Sequence, residues 1–358
     1  MKPLLKAIFA LVLGLTVNAA VPVMKLGTAC PDFSLPGVDG RTYTLKTFAQ
    51  AKLLAIIFTS NHCPTAQAYE ERIKRLAADY RPRGVAVVAI NPNSAEAVRL
   101  DELGYTDLGD TLEEMKIRAE HQQFNFPYLD DGPTEVFSKQ LGPVATPHVF
   151  IFDQERKLRY QGRIDNNERE DLVKTRDTRA ALDALLAGRP PEVAETKVFG
   201  CSTKWDDKIE ANQRWRAKVA QEPVKLDPAT EQTLREIREN KTGKVRLVNV
   251  WATWCGPCVA EFDELVETNL RFRHRDFELI TIAAEFPDQK EKVLRFLKEH
   301  QASTKNYYFA DTDKYKMFET LDPDWQGGLP HTLLIAPGGE VLLRQTEELD
   351  FLTLRRKI

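Results

Sequence analysis

The sequence is poor in cysteine, in long apolar runs and in excess charge of either sign. Five cysteines occur in 358 residues, too few in too long a chain for a fold that disulfides hold together. Their odd number leaves at least one thiol unpaired or paired between molecules, and such sparse cysteine favours redox chemistry over cross-linking. The net charge of −3 offers no basic surface for nucleic acid or for an anionic membrane. The length, with 42% hydrophobic and 29% charged residues, suits a globular protein of two domains.

The N-terminus departs from this pattern. Lys2 and Lys6 precede or flank an apolar stretch over Ala7–Val17, and small residues follow directly. This succession of charged, apolar and small-residue segments predicts a cleaved signal peptide over residues 1–20. A membrane anchor is the alternative, but the apolar stretch is too short to cross ~30 Å of hydrocarbon. We therefore expect export to the periplasm or another extracytoplasmic compartment, with no stable membrane insertion after cleavage.

Two segments of the chain repeat one alternation of strands and helices. The predicted strands of the first segment are Leu53–Thr59, Val85–Ile90, Val149–Phe152 and Leu158–Gly162, and its helices begin at Pro64, Leu112 and Thr178. The second segment has predicted strands at Val245–Trp251, Phe277–Ala283, Tyr307–Ala310, Thr332–Ile335 and Glu340–Arg344, with helices from about Pro257 and from Lys290. This alternation predicts an α/β fold of two tandem units, each a central mixed β-sheet flanked by helices. Residues 205–240, rich in charge and in helix formers, predict a helical linker between them.

A Cys-x-x-Cys pair stands where the first strand of the second segment ends and a helix begins. The sequence from Trp251 to Cys258 is W-A-T-W-C-G-P-C, which puts Cys255 at the N-terminus of the helix. Unpaired N–H groups and the positive end of the helix dipole stabilise a thiolate there, so the pKa of Cys255 should fall below the free value near ~8.5. The thiolate attacks disulfides, and Cys258, one turn further on, can release the mixed disulfide.

Half of a zinc site is the alternative for such a pair. Zinc would need two further ligands at a matching spacing, and His274 and His331 do not provide that spacing. The pair is therefore interpreted as redox-active, and the sequence predicts neither a metal nor another cofactor.

Residues 245–345 resemble the exported TlpA/ResA-like branch of the thioredoxin superfamily, within a predicted domain at 241–358. The W-A-T-W-C-G-P-C motif and the Leu329-Pro330 step carry this resemblance. It implies a thioredoxin-like fold and a cis-proline at Pro330 beside the cysteines, where the preceding backbone binds an incoming chain. It also implies that Glu261 is an acid near the cysteines, and a solvated helix residue is the alternative for that position.

A single cysteine occupies the same strand-to-helix turn of the first segment. Aligning the strand ends places Cys63 against Cys255 and Ala66 against Cys258. This site therefore keeps the nucleophile and lacks the neighbouring resolving cysteine. The helix dipole would again lower the pKa of Cys63, and His62 would add positive charge unless it is a surface residue.

Residues 25–204 resemble the AhpC/TSA redoxin group. The stretch A-C-P-D-F-S-L from Ala29 and the stretch G-C-S-T-K-W from Gly200 carry this resemblance. It implies a second thioredoxin-like fold, and Pro147 is similar to a second thioredoxin-type cis-proline.

Two further cysteines belong to this first segment. Cys201 lies in a mobile-looking stretch after the last helix and is the candidate that resolves an intermediate on Cys63, with an inert thiol as the alternative. Cys30 is expected to be buried and structural, because free cysteine is often buried.

Three functions follow from these features. The first is an exported thiol–disulfide oxidoreductase; the resemblance implies that it reduces protein disulfides and that a membrane thiol donor regenerates it. The second is a thiol peroxidase that uses Cys63 with the second domain as its reductant. The peroxiredoxin proline and arginine are replaced by Ile56 and Pro147, which makes stabilising a developing oxyanion harder. The third is a non-enzymatic module that binds a client protein, or Cu(I) through soft thiolates.

Overall fold

The computed structural model describes residues 21–358, and the predicted signal peptide lies outside the described residues. Two mixed β-sheets with helices on their faces make up the fold, which confirms the predicted α/β class. The fold consists of an N-terminal unit and a C-terminal unit, which one helix connects.

The elements of the N-terminal unit follow one another closely. Its strands are β1 (Ser34–Pro36), β2 (Thr42–Thr44), β3 (Leu53–Phe58), β4 (Val85–Asn91), β5 (Tyr128–Asp130), β6 (Ala145–Thr146), β7 (His148–Phe152), β8 (Leu158–Gly162) and β9 (Cys201–Ser202). Its helices are α1 (Pro64–Tyr80), α2 (Leu112–His121), α3 (Val136–Leu141) and α4 (Asp177–Leu186). The connecting helix is α5 (Ile209–Val219).

From its second strand onward, the C-terminal unit repeats the order of the main-sheet strands and helices of the N-terminal unit. Its strands are β10 (Asp227–Ala229), β11 (Val245–Trp251), β12 (Phe277–Ala283), β13 (Lys305–Phe309), β14 (His331–Ile335) and β15 (Val341–Thr346). Its helices are α6 (Glu231–Glu239), α7 (Gly256–Phe272), α8 (Lys290–Glu299), α9 (Lys314–Leu321) and α10 (Phe351–Lys357).

The two main sheets share one strand arrangement. The N-terminal sheet has the order β5-β4-β3-β7-β8, and the C-terminal sheet has the order β10-β13-β12-β11-β14-β15. In each, the central strand pairs in parallel on one side and antiparallel on the other. All six residues of β3 are buried, as its unbroken apolar run predicts for a strand covered on both faces. The central strands β3 and β11 therefore end inside the protein, and the chain continues from each of them into a helix.

The structure adds elements that the sequence did not reveal. The predicted linker, residues 205–240, contains α5 and α6, but β10 between them pairs in parallel with β13. The linker thus also supplies the edge of the C-terminal sheet. The short elements β5, α3 and α9 were absent from the sequence prediction, because three to eight residues give too little periodicity to register.

The two units pack against each other through the last turn of α7. Leu270 lies against an apolar cluster of Val98, Leu100, Leu103 and Trp215. The guanidinium of Arg271 donates to the carbonyl oxygen of Asp107 at 3.2 Å. Arg356 pairs with the Asp107 carboxylate at 2.8 Å. Since a helix rises 1.5 Å per residue, Cys255 at the start of α7 lies about 24 Å from Arg271 at this contact.

Along residues 21–358, no helix combines the length and the apolar character that crossing a membrane requires.

Candidate active sites

The C-terminal site is built where β11 passes into α7. Cys255 is the N-cap of α7 in an extended conformation, and its sulfur accepts the backbone N–H of Cys258 at 3.3 Å. Cys255 and Cys258 are joined in a disulfide with their Cα atoms 5.3 Å apart. Pro257 stands in the first turn, where a missing N–H costs nothing. The helix N-terminus thus holds the pair in the geometry that the sequence predicted.

A buried carboxylate lies behind the disulfide. Glu261 is only 6% exposed, so the alternative of a solvated helix residue is wrong. Its two carboxylate oxygens accept from the side-chain amide of Asn249 and from the backbone N–H of Leu349, both at 3.1 Å. Burial raises the pKa of Glu261 above its ordinary value, and these two hydrogen bonds oppose the rise only in part.

Leu329 and Pro330 are joined by a cis peptide bond, the isomer that the resemblance implied. The strand that follows, β14, pairs antiparallel with β11. This pairing brings the proline to the same end of the sheet as the cysteines.

Two exposed aromatic residues lie in the loops that follow β11 and β12, and the sequence prediction missed both. Trp254, next to Cys255, is 67% exposed, and Phe286 is 57% exposed. The loops of these residues are tied together because the buried carboxylate of Glu285 accepts the backbone N–H of Thr253. An aromatic residue in the loop after a strand end, as in the E-F-P sequence that begins two residues after β12, is the signal that could have identified these residues.

The N-terminal site repeats this plan with one cysteine in the helix. Cys63 is the N-cap of α1, and its sulfur accepts the backbone N–H of Ala66 at 3.3 Å. Ala66 therefore occupies the position of Cys258, as the strand-end alignment predicted. Thr146 and Pro147 are joined by a second cis peptide bond. The thiol of Cys63 donates to the carbonyl oxygen of Thr146 at 3.3 Å.

Cys201 lies directly at this site. The expectation that it belongs to a mobile stretch is wrong, because Cys201 and Ser202 form strand β9, which pairs antiparallel with β6. The backbone N–H of Cys201 donates to the Cys63 sulfur at 3.4 Å. A hydrogen bond from the Cys201 thiol, with further ones from the backbone, outweighs burial and lowers the pKa of Cys63 to about 6. The same bond, together with burial, raises the pKa of Cys201 above its ordinary value.

His62 is buried beside Cys63, so the alternative of a surface residue is wrong. It is 3% exposed, and its Nδ1 atom lies 2.5 Å from a carboxylate oxygen of Asp110. Asp110 also accepts the backbone N–H of Asn61 at 2.8 Å and the side-chain amide of Asn93 at 2.9 Å. Burial lowers the pKa of His62, but the Asp110 carboxylate outweighs it and the net shift is upward. The sequence did not reveal Asp110, which lies 48 residues away from His62.

The remaining predictions concern Cys30 and metal binding. Cys30 is 8% exposed and packs in the apolar core, which confirms the expected burial, and burial raises its pKa to about 12. In the described part of the chain, no group of three or more His, Cys, Asp or Glu side chains is arranged to hold a metal ion.

The two sites share one construction. In each, a cysteine caps the helix that follows the central strand, and a cis-proline precedes the next antiparallel strand. This arrangement on a mixed sheet defines the thioredoxin-type class of proteins. The AhpC/TSA family model matches residues 26–161, and the Redoxin model matches residues 198–351. The chain belongs to the thioredoxin superfamily and contains two redoxin-type domains.

Two curated proteins and one solved structure are among the chains to which this one is similar. The chain is 31% identical over 100 residues to the thiol-disulfide oxidoreductase ResA of Bacillus subtilis, covering 28% of this chain and 51% of that protein. It is 33% identical over 110 residues to the thiol:disulfide interchange protein CycY of Rhizobium leguminosarum, covering 29% of this chain and 50% of that protein. The chain therefore spans about half the length of these curated relatives. A solved structure of a hypothetical protein from Sinorhizobium meliloti is 35% identical, with a TM-score of 0.45, over 51% of this chain and 96% of that chain.

Proposed function

We propose that the protein is an exported thiol–disulfide oxidoreductase that reduces protein disulfides through Cys255 and Cys258. The observation that carries this proposal is the bonded pair at the N-terminus of α7, where the amide of Cys258 is directed at the Cys255 sulfur. The names of the curated relatives, thiol-disulfide oxidoreductase and thiol:disulfide interchange protein, support the same activity here. Export rests on the signal peptide predicted over residues 1–20.

The reaction runs in two exchanges on this pair. The Cys255 thiolate attacks one sulfur of a client disulfide, and the other client sulfur leaves as a thiol. Cys258 then attacks the Cys255 sulfur, which releases the second client thiol and closes the Cys255–Cys258 disulfide. A membrane thiol donor returns two electrons to the pair.

Three neighbouring groups support these steps. Glu261, one turn beyond Cys258 and held by Asn249, is a buried base of raised pKa that takes the Cys258 proton before the second exchange. The backbone before Pro330 aligns the client chain. Trp254, exposed beside Cys255, supplies apolar contact area for that chain.

Trapping tests the assignment of the two cysteines. Cys258→Ser in the full chain removes the resolving thiol, so mixed disulfides with clients should accumulate on Cys255. The matched control Cys255→Ser/Cys258→Ser should accumulate only what the Cys63 and Cys201 thiols form by themselves. Equal amounts of mixed disulfide in both variants would contradict the proposal.

The direction of electron flow is tested by the reduction potential of the pair. A reductant should have a potential near or below that of thioredoxin, about −270 mV, whereas a value near about −120 mV marks a strong oxidant. The measurement uses Cys63→Ser/Cys201→Ser, so that only the C-terminal pair exchanges. A value at the oxidising end would overturn the reductant assignment.

Cys63 and Cys201 are proposed as a second exchanging pair. The contact between the Cys201 amide and the Cys63 sulfur, at 3.4 Å, supports this pairing. The lowered pKa of Cys63 gives it thiolate character near neutral pH.

A further inference from the structure

Strand β9 fills the edge that leads into Pro147. Ala145 pairs with Ser202 and Thr146 pairs with Cys201, so the two residues before the cis-proline are already bonded to the protein's own chain. An extended peptide binds to a sheet edge by pairing with unpaired backbone groups. The N-terminal site therefore offers no such edge to a client chain while β9 is in place.

The close approach of β9 is part of the fold. Gly200 has a φ of +137°, and a Cβ atom on it would lie 2.0 Å from the carbonyl oxygen of Thr146. The end of the strand is anchored beyond the cysteine, since Thr203 donates its hydroxyl to the carbonyl of Pro143 at 2.6 Å. The backbone N–H of Lys204 donates to the side-chain oxygen of Asn93 at 2.8 Å. Cys201 is thereby held over Cys63 from both sides.

The two cysteines differ in accessibility. Cys63 is fully buried, with an exposed fraction of 0%, whereas Cys201 is partly exposed. An external sulfur that approaches this pair meets Cys201 first.

The hydrogen bonds to Cys63 also favour an attack on Cys201. The Cys63 sulfur accepts the backbone N–H groups of Ala66 at 3.3 Å and of Cys201 at 3.4 Å, and both hydrogen bonds lower the pKa of Cys63 without needing the Cys201 thiol. In disulfide exchange, the sulfur of lower pKa is the better leaving group. Cys63 is therefore suited to leave, and Cys201 to be attacked.

We propose that Cys63 and Cys201 form an internal disulfide that a low-molecular-weight thiol opens at Cys201, with Cys63 as the leaving thiolate. This rests on the proposed second exchanging pair of Cys63 and Cys201, and it names the class of thiol that reduces that pair and the sulfur that is attacked. The external thiolate forms a bond to the Cys201 sulfur, the Cys63–Cys201 bond breaks, and its electron pair goes to Cys63. A second thiolate then attacks the external sulfur, which releases a small disulfide, and the Cys201 thiolate takes a proton from solvent. In total, two external thiols are oxidised and the internal disulfide is reduced.

The test uses the full chain with Cys255→Ser/Cys258→Ser, so that the C-terminal pair does not contribute. The protein is oxidised with excess glutathione disulfide and treated with a limiting amount of reduced glutathione. It is then quenched in acid, alkylated and mapped by mass spectrometry. We expect an oxidised form with a Cys63–Cys201 link, and glutathione on the Cys201 peptide after limited reduction. Glutathione on Cys63, or an oxidised form without that link, would overturn the proposal.

A second experiment leaves Cys255 and Cys258 unchanged. In otherwise unchanged chains, Cys63→Ser and Cys201→Ser are each incubated with glutathione disulfide. In Cys201→Ser, β9 still covers the remaining Cys63. We therefore expect glutathione to be incorporated at Cys63 in Cys201→Ser at least tenfold more slowly than at Cys201 in Cys63→Ser. Equal rates, or the reverse order, would contradict the assignment of Cys201 as the accessible sulfur.

A third experiment tests whether the external reductant is a small thiol. The oxidised Cys255→Ser/Cys258→Ser protein is reduced with glutathione or with a thioredoxin at equal thiolate concentration. Glutathione should be faster, since it needs no free sheet edge. Faster reduction by the thioredoxin would show that a protein thiol is the partner and would overturn that part.

Discussion

The backbone N–H of Cys201 lies 3.4 Å from the sulfur of Cys63, although 138 residues separate the two in the chain. This contact completes the N-terminal site with a second thiol from outside the helix, whereas the C-terminal site has both cysteines in one helical turn. The second cysteine of the N-terminal site therefore comes from a separate strand, whereas that of the C-terminal site comes from the same helix.

Gly200→Ala should open the N-terminal pair. The new Cβ would meet the Thr146 carbonyl at 2.0 Å in a left-handed backbone conformation, and we expect a loss of about 1–3 kcal/mol of stability. The pKa of Cys63 should rise because its hydrogen bonds from Cys201 are lost. Thermal unfolding and thiolate absorbance titration of the reduced protein measure both effects. Gly188→Ala is the matched control, since Gly188 also has a positive φ, +71°, with nothing within 4 Å of its Cβ position. An unchanged Cys63 pKa in Gly200→Ala would refute the coupling.

Glu261→Gln should slow disulfide exchange at the C-terminal site by roughly 100-fold, the lower end of the range for a general acid or base. The wild-type rate should fall as the pH drops through the raised pKa of Glu261, and the variant should lack this dependence. Rates of client-disulfide reduction from pH 5 to 8 provide the measurement. Glu267→Gln, on the same helix but exposed, serves as the control and should keep the wild-type profile. Identical profiles in both variants would exclude Glu261 from proton transfer.

His148 should make the protein sensitive to acid. Burial lowers its pKa from 6.5 to about 4, so between these values the unfolded chain binds more protons and stability rises with pH. On going from pH 7 to pH 5, wild type should lose about 2 kcal/mol more free energy of unfolding than His148→Asn. Denaturant unfolding at the two pH values measures the difference. Equal losses in both proteins would show that His148 titrates normally.

Hydrogen peroxide should not be turned over at the N-terminal site. Cys63 is fully buried. The Ser60 hydroxyl is hydrogen-bonded to the Thr146 hydroxyl at 3.0 Å. Pro147 occupies the position of the peroxiredoxin arginine. Peroxide consumption by the reduced wild type should therefore equal that of Cys63→Ser. A rate that Cys63→Ser abolishes would instead support the peroxidase function.

Gly104→Ala should loosen the contact between the two units. Its Cβ would lie 2.8 Å from the carbonyl oxygen of Arg271, and such overpacking costs about 1–3 kcal/mol. The radius of gyration from small-angle scattering should increase, and the reduction potential of Cys255 and Cys258 should stay the same, because that pair lies at the other end of α7. Gly243→Ala, with nothing within 4 Å of its Cβ position, should change neither quantity.

Local chemistry explains which features the sequence could predict. The buried runs of β3 and β11, and the cysteines at the helix N-termini, follow from hydrophobic pattern and from helix-end electrostatics, which act over a few residues. The pairing of β9 with β6 and the contact of His62 with Asp110 depend on side chains that only the tertiary fold brings together. Sequence spacing carries no signal for either contact, so the sequence alone predicts a mobile stretch at Cys201 and does not decide between a buried and a surface position for His62.

The N-terminal unit contacts α7 at its last turn, through Leu270 and Arg271, while Cys255 begins that helix. A macromolecule bound at Trp254 would therefore lie near the end of α7 that is far from the contact with the N-terminal unit. With the two proposed activities, one polypeptide would exchange disulfides with protein clients at one site and with small thiols at the other.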